Sequence, residues 1–406
     1  MLKNKHIILG VTGSIAAYKA IELTRRLTEA KAVVDVILTE AAKRFTTPLS
    51  FSSITKGRVF SDIFEDPLSH IRIAEEAELL LVAPATANII GKMAHGIADD
   101  MLSTVYMAFN GKVMIAPAMN WRMYENPVLQ RNLESLQSLG VIQIGPDRGS
   151  LACGEANIGR MAEVNAIIEE IEIALSEKDL EGKRLVITAG PTREYIDPIR
   201  FISNRSSGKM GYAIAKVAVR RGANVTLISG PSNLPPPRRV TFMSVETADE
   251  MKDAVMSNLK GSDALIMAAA VADFSPEQRS PEKISSREGL ELRLRRTPDI
   301  IRSVRLAHEA SVRSRPGGIE PIHIGFSAET GDNLERARQK RIEKGIDMII
   351  FNDVTEAGAG FDVDTNRITI IERDKETEFP LMSKEDVAGV ILDRLSEVLR
   401  GGIRQG

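Results

Sequence analysis

Four short stretches of the chain concentrate residues that hold or move charge. In GVTGS, Gly10 and Gly13 let the backbone bend tightly and Ser14 opens a helix, where unpaired N–H groups and the helix dipole attract a phosphate. Such a turn also simply joins strand to helix in many α/β folds, so taken alone it carries both readings. In APATANIIGKMAHGIADDMLST, Pro84, Thr86 and Asn88 fall at the end of an apolar run, where open α/β sheets bind ligands, and Gly91, Gly96, Asp99, Asp100, Ser103 and Thr104 follow. A merely structural strand end needs no such density of hydroxyl, amide and glycine. SNRSSGKMG sets the Asn204 amide, the Ser206 and Ser207 hydroxyls and two glycines before a helix, a cradle for a phosphate or an acyl phosphate. It lacks the G-x-x-x-x-G-K-[ST] spacing and is not a Walker motif. GSLACGEANIGRM, residues 149–161, holds Cys153, the single cysteine of the chain, among small residues and glycines that suit a mobile loop better than a packed core.

The elements that must carry these stretches are legible as alternating strands and helices. HIILGV, AVVDVILTE, AELLLVAPAT, KVMIAPAMN and GVIQIGP are short Val/Ile/Leu-rich runs separated by helical periodicity, which predicts a parallel sheet buried on both faces. After the charged run SEKDLEGK (176–183) a second series begins with RLVITAGPT and continues through NVTLISG, ALIMAAAVADF, IHIGFSAET and DMIIFNDV, with NRITIIERDKETEFP as a hairpin. The expected fold is α/β, with two doubly wound, Rossmann-like, three-layer domains over 1–178 and 182–406, the first flavodoxin-like. LPPPRR, residues 234–239, reads as a stiff connection inside the second half rather than a domain linker.

A chain of 406 residues, 43% hydrophobic and 27% charged, has the composition of an ordinary globular protein of two or three domains. Lys and Arg number 53 against 55 Asp and Glu, so no basic excess argues for nucleic acid. One cysteine cannot form an internal disulfide, no charged-then-apolar leader opens the chain, and no apolar run approaches the roughly 18 residues that span a bilayer. The expected setting is the cytoplasm, with no membrane partner.

Longer motifs then carry a resemblance. GVTGSIAAYK, the His70-Ile71 pair, APATANIIGKMAHGIADDMLS, PAMNWRMYENP and LACGEANIGRM together resemble the flavin-dependent cysteine decarboxylases that act on 4'-phosphopantothenoylcysteine. TAGPTREYIDPIRFISNRSSGKMGYAIA, AAAVADF and EKI resemble the phosphopantothenate–cysteine ligases, in the order of the fused enzymes of coenzyme A biosynthesis. For the first half the resemblance implies FMN held by Gly13, Ser14, Thr39, Thr86, Asn88 and Ser103, His70 as base or electrostatic partner, and Asn120 as the amide that binds the substrate carboxylate. His6, His95, His308 and His323, outside that motif, read as structural. Met119, Met123 and Tyr124 would supply apolar wall. Cys153 would donate the last proton from a flap hinged at Gly149, Gly154 and Gly159, with Arg160 helping to hold substrate or the closed flap. Relatives usually carry another glycine where this chain has Asn157, a residue that tolerates positive φ and so is expected to keep the flap's shape.

For the second half the resemblance implies CTP with Mg²⁺, an acyl-cytidylate formed from 4'-phosphopantothenate, and its displacement by L-cysteine. Asn204 would contact the acyl-cytidylate, Lys283 would serve the chemistry, and Ser206, Ser207, Ala268, Ala269, Ala270, Asp273, Phe326, Lys340 and Lys344 would hold the nucleotide. Lys340 and Lys344, four apart, share a helix face, an arrangement that lysines also adopt when merely solvated. Relatives commonly read Lys-Ile-Lys-Lys and Asn-Pro-Asp where this chain has KISS and TPD, with Lys283 retained. The resemblance also implies trimeric decarboxylase and dimeric ligase contacts, together a dodecamer. Two other readings are weighed: a flavin prenyltransferase, which would lack the PAMN and cysteine-flap pair and the entire second half, and a regulatory flavoprotein subunit, which would have lost a catalytic residue.

Overall fold

The computed structural model describes residues 2–64, 68–150, 156–285, 290–314, 321–331, 333–360 and 362–401, with backbone alone at 150 and 308–314. The chain divides into two compact units, Met1–Ser176 and Glu177–Gly406.

In the first unit the strands are β1 (His6–Val11), β2 (Val33–Leu38), β3 (Val59–Phe60), β4 (Leu79–Ala85), β5 (Lys112–Pro117) and β6 (Ile142–Gln143). They form one parallel sheet in the order β3-β2-β1-β4-β5-β6. Setting aside the two-residue β3, the remaining five run in the flavodoxin-like order 2-1-3-4-5. Every residue of β4 is buried, as a strand covered on both faces must be. Helices α1 (Ala17–Glu29), α2 (Pro48–Ser52), α3 (Ser69–Glu76), α4 (Ala87–His95), α5 (Met101–Ala108), α6 (Trp121–Tyr124), α7 (Pro127–Ser138) and α8 (Val164–Leu175) connect the strands. Leu23 and Leu27 of α1 pack with Ile167 and Ile171 of α8 in one apolar layer, while Ile89, Ile90 and Met93 of α4 join Leu129 and Leu133 of α7 in the other. Gly96, at φ +67, ends α4 in the left-handed conformation that glycine adopts without strain.

A hairpin of β7 (Asp147–Ser150) and β8 (Ala156–Arg160) follows the sheet. The sequence places Cys153 at its tip, outside the described residues. Asn157 does not take the positive φ expected of it: it lies extended in β8 opposite Gly149, and its Oδ1 accepts the N–H of Ile158 at 2.8 Å. The glycine that matters is Gly159, at φ +134, where a Cβ would stand 2.2 Å from the Met119 carbonyl oxygen. Met119 N in turn donates to Gly159 O at 3.0 Å, so the hairpin's root is bonded to the PAMN segment.

In the second unit β9 (Arg184–Ala189) is followed by a small hairpin of β10 (Arg193–Tyr195) and β11 (Phe201–Ser203), then β12 (Asn224–Ser229), β13 (Thr241–Ser244) and β14 (Ala264–Met267). A second small pair, β15 (Phe274–Pro276) and β16 (Leu294–Arg296), precedes β17 (Ile322–Glu329), β18 (Met348–Asp353), β19 (Thr365–Ile371) and β20 (Glu376–Ser383). The main sheet runs β13-β12-β9-β14-β17-β18-β19-β20, with the last two strands antiparallel, as the NRITIIERDKETEFP pattern predicts. Helices α9 (Lys209–Arg220), α10 (Ala248–Asn258), α11 (Ile300–Ser314), α12 (Leu334–Lys344) and α13 (Lys384–Gly401) cover it. The 234–239 stretch lies between β12 and β13 of this unit. Among the described residues no helix is long and apolar enough to cross a membrane.

Replacing Gly159 with Ala should cost about 2 to 3 kcal/mol, because the new Cβ meets backbone that the hairpin bond holds in place. Thermal unfolding of the full chain checks this, and an unchanged melting temperature would count against it.

Candidate active sites

In each unit the ordering of strands reverses beside the first strand, and loops leave the sheet there in opposite directions. In the first unit this point lies between β1 and β4. Thr12, just past β1 and 2% exposed, spans it: its hydroxyl donates to Pro84 O at 2.7 Å and accepts the Thr86 N–H at 3.2 Å. The GVTGS turn is packed so closely on the loop after β2 that a Cβ on Gly13 would stand 2.5 Å from the Ala41 side chain. Thr39 in that loop donates its N–H to Val11 O at 3.1 Å, and Ser14 Oγ accepts the Ala16 N–H at 3.3 Å. Gly13, Ser14 and Thr39 are therefore neighbours, while Thr86 precedes α4 and Asn88 lies exposed in its first turn.

Ser103 is engaged within the fold. Its side chain is fully buried, and its hydroxyl accepts the N–H groups of Asp99 and Asp100 and lies 2.9 Å from Asp100 Oδ1, completing the capping box of α5. The next hydroxyl, Thr104 Oγ1, is buried with no hydrogen-bond partner. His70 sits in the first turn of α3 with Nδ1 likewise buried and unpartnered. Asn120 caps α6, its Oδ1 accepting the Arg122 N–H at 2.9 Å. Arg160 is engaged with Glu163 at 2.6 Å, and Glu163 also meets the buried Lys19 ammonium at 3.2 Å. Lys19, which the sequence reading passes over, further donates to Met161 O at 3.3 Å and so ties α1 to the segment that follows the flap.

His6, Asp35 and Glu76 bring three metal-ligand types within 4.8 Å of one another. Arg58 pairs with both carboxylates, and it and His6 hydrogen bond Asp35. Although burial pushes the Asp35 carboxyl up, those bonds hold it below its ordinary value, so the cluster is complete as an ion-pair network.

The second unit holds a cavity of about 1050 Å³ over the carboxyl ends of β14, β17 and β18 and the start of α9. Asn204, Ser206, Ser207, Ala268, Ala269, Ala270, Asp273, Phe326, Lys340 and Lys344 all line it. Asn204 Nδ2 donates to Ala270 O at 3.2 Å and Val271 O at 3.0 Å, which fixes one edge of its amide against the loop after β14. Lys340 donates to Phe326 O at 3.2 Å; burial, with the Lys344 charge beside it, holds its ammonium below the usual lysine value. Lys344 pairs with Asp299 at 2.9 Å. In the TPD departure, Thr297 therefore stands beside a useful aspartate, and its own hydroxyl donates to Ala272 O at 2.5 Å. Lys283 does not line the cavity: it is exposed on a segment held where Ile284 N donates to Asp197 Oδ2 at 3.2 Å. In the KISS departure Ser286 is outside the described residues.

The cavity also contains residues the sequence reading passes over. Arg336 stands four residues before Lys340 and pairs with Glu329 at 3.2 Å, a spacing that extends the lysine pattern and could have been noticed. Lys209, Asn352, Asn366 and Lys384 come from four elements, and no local pattern joins them.

A family model described as Flavoprotein matches residues 1–176, and one described as DNA/pantothenate metabolism flavoprotein C-terminal domain matches residues 180–399. The coenzyme A biosynthesis bifunctional protein CoaBC of Bacillus subtilis is 45% identical over 406 residues, covering 98% of each chain. Its counterpart from Escherichia coli K12 is 43% identical over 404 residues, covering 97% of each. The chain belongs to this bifunctional coenzyme A biosynthesis family. Among solved structures, the C-terminal domain of a CoaBC protein is 39% identical and covers 55% of this chain and 100% of its own, with a TM-score of 0.45. The FMN binding protein AtHal3 is 32% identical and covers 42% of this chain and 96% of its own, with a TM-score of 0.39. The chain is thus an enzyme whose flavoprotein half and ligase half follow one another in the family's order.

Within the ligase half Lys384 carries the largest resolved departure for a cavity lysine. Burial, together with the Lys209 charge, pushes it down to about 8, against the attraction of Asp364 and Asp362. Because that value lies below lysine's usual 10.5, the charged form costs the fold stability at neutral pH, and the cost fades as pH rises from about 8 towards 10.5. Unfolding free energies measured across that window should rise more steeply for the parent chain than for Lys384→Met; parallel slopes would contradict this.

Proposed function

We propose that the ligase half joins 4'-phosphopantothenate to L-cysteine with CTP and Mg²⁺, and that the flavoprotein half decarboxylates the product with FMN to 4'-phosphopantetheine. The observation that carries the reading is the single cavity that gathers Asn204, Ser206, Ser207, Asp273, Phe326, Lys340 and Lys344 at the reversal of strand order. Oxide is a poor leaving group, so the carboxylate must first become a mixed anhydride. A carboxylate oxygen attacks the α-phosphorus of CTP, pyrophosphate leaves, and the cysteine amine then displaces CMP. N–H groups at the start of α9 with Ser206 and Ser207 receive phosphate oxygens, the Asn204 amide contacts the acyl-cytidylate, and Lys340 and Lys344 bind the nucleotide. Lys283, exposed outside the cavity lining, would serve the chemistry only if its segment brings it to the reacting phosphate. Mg²⁺ would arrive with the triphosphate, and Asp273 in the cavity wall would contact the nucleotide.

In the flavoprotein half, Gly13, Ser14, Thr39, Thr86 and Asn88 would hold FMN, and the buried unpartnered Nδ1 of His70 and hydroxyl of Thr104 fit a pocket whose polar groups are completed by a bound molecule. FMN, where bound, would supply a reversible two-electron acceptor, the sink that a simple cysteine carboxylate lacks. His70 holds or accepts the thiol proton, and the Asn120 amide orients the departing carboxylate. Cys153, whose ordinary thiol pKa of about 8.5 keeps it protonated near neutrality, gives the final proton. We place the enzyme in the cytoplasm as a homo-oligomer, trimeric through the decarboxylase and dimeric through the ligase; exposed Tyr18, Leu49, Phe64 and Leu68 in the first unit support covered surface.

The test is a coupled assay offering CTP, ATP and GTP separately while following pyrophosphate and CO2. CTP should be preferred, and equal use of all three would remove the nucleotide assignment. His70→Asn should abolish CO2 release while pyrophosphate release continues, and Cys153→Ser should release CO2 yet stall with reduced flavin and an unsaturated product. A Cys153→Ser enzyme that turns over normally would leave the flap as a cover only.

A further inference from the structure

Two buried asparagines form part of the wall of the ligase cavity, Asn352 in β18 and Asn366 in β19. The chemistry of Asn366 is incomplete. The residue is 4% exposed, and its Oδ1 is buried without a hydrogen-bond donor. An unpaired buried carbonyl costs stability comparable to a lost hydrogen bond, so a fold retains one where a ligand completes it.

The surroundings leave the side chain little room to find a partner of its own. Asn366 is paired in register with Met382 across the β19–β20 hairpin, and the preceding Thr365 hydroxyl is bonded to Gly358 O at 2.6 Å. The nearby ammonium groups are committed: Lys384 donates to Gly360 O at 3.0 Å and Val363 O at 2.6 Å, and Lys209 to Asp362 O at 2.9 Å and Asp364 Oδ1 at 2.7 Å. The cavity is thus lined both by this asparagine and by two cations. A phosphate oxygen offers that acceptor nothing, whereas an alcohol can donate to Oδ1 and keep its own oxygen in the favourable field of the ammonium groups.

We propose that Asn366 Oδ1 accepts a hydrogen bond from an alcohol hydroxyl of a substrate bound in the ligase cavity, and thereby selects substrates that carry that hydroxyl. This rests on the reading of the cavity as the ligase site. Two substrates bring such a group, the nucleotide through its ribose and the pantothenate-derived acid through its secondary alcohol. A buried acceptor built for a hydroxyl discriminates strongly, because the analogue without it leaves the acceptor unpaired in the closed complex.

The experiment follows pyrophosphate release by the full chain with CTP, 2'-deoxy-CTP and 3'-deoxy-CTP, and separately with 4'-phosphopantothenate and its analogue lacking the secondary hydroxyl. The parent should lose about tenfold or more in kcat/KM with one of these analogues. In Asn366→Leu, which keeps the volume and removes the acceptor, that preference should fall to within about threefold, and the analogue affected identifies whether ribose or acid supplies the hydroxyl. Asn366→Asp retains an acceptor oxygen and should retain the preference, which keeps the test decisive if the leucine variant does not fold. A parent indifferent to all three analogues, a leucine variant as selective as the parent, or an aspartate variant that loses selectivity would each overturn the proposal. Failure of the parent to release pyrophosphate with CTP would instead overturn the underlying assignment of the cavity.

Discussion

Each unit depends on buried threonines that stitch its sheet together where the strand order reverses. Loops leaving neighbouring strands in opposite directions open a crevice there, and the backbone groups on its edges need partners. Thr12 supplies them between β1 and β4 through Pro84 O and Thr86 N. Between β9 and β14, Thr188 Oγ1 accepts the Ala269 N–H at 3.2 Å and Thr192 Oγ1 the Ala272 N–H at 3.0 Å, while Ala270 N donates to Gly190 O at 2.9 Å. A hydroxyl both donates and accepts, so one short side chain can complete two edges without filling the crevice. The APAT and AAAVAD segments are consequently held open as site walls, and the small side chains of Ala268, Ala269 and Ala270 leave space that larger ones would occupy.

The two sites differ in how they manage charge. The ligase cavity gathers Lys209, Arg336, Lys340, Lys344 and Lys384, each associated with a carboxylate or a backbone carbonyl. Such pairing lowers the cost of bringing cations together, and leaves them able to exchange a weak partner for a polyanion. Burial holds Lys340 and Lys384 below ordinary lysine values, so a bound phosphate would restore the favourable environment that desolvation removes. In the flavoprotein half, by contrast, the buried side-chain polar atoms without a partner among the described residues are the Nδ1 of His70 and the hydroxyls of Thr28, Thr46 and Thr104.

Much of the fold was legible because the strands are short, apolar and bounded by turn residues. The β19–β20 hairpin and both parallel sheets follow from that periodicity. The motif residues at strand ends were legible for the same reason, since the spacing from an apolar run fixes which side chains reach the sheet's carboxyl edge. Asn366 and Lys384 were not legible, because they line one cavity only once β19 lies beside β18 and Lys384, in α13, bonds the Gly360 and Val363 carbonyls. Ser103 has a structural role that its motif does not announce: three residues after an aspartate at a helix start, it completes the capping box of α5.

The flap shows how an absent glycine can be harmless and a retained one indispensable. Asn157 faces Gly149 in an extended ladder, where φ is negative and any side chain that projects from the strand is accommodated. Gly159, two residues on, lies against the Met119 carbonyl at a backbone angle that L-residues rarely adopt. Met119 directly precedes Asn120, and Met161, directly after Arg160, is held by Lys19 of α1. The backbone root of the β7–β8 hairpin is thereby anchored on both sides, once to the segment carrying Asn120 and once to the helix that follows GVTGS. Replacing Gly159 therefore disturbs both the hairpin's base and the PAMN backbone that it is bonded to.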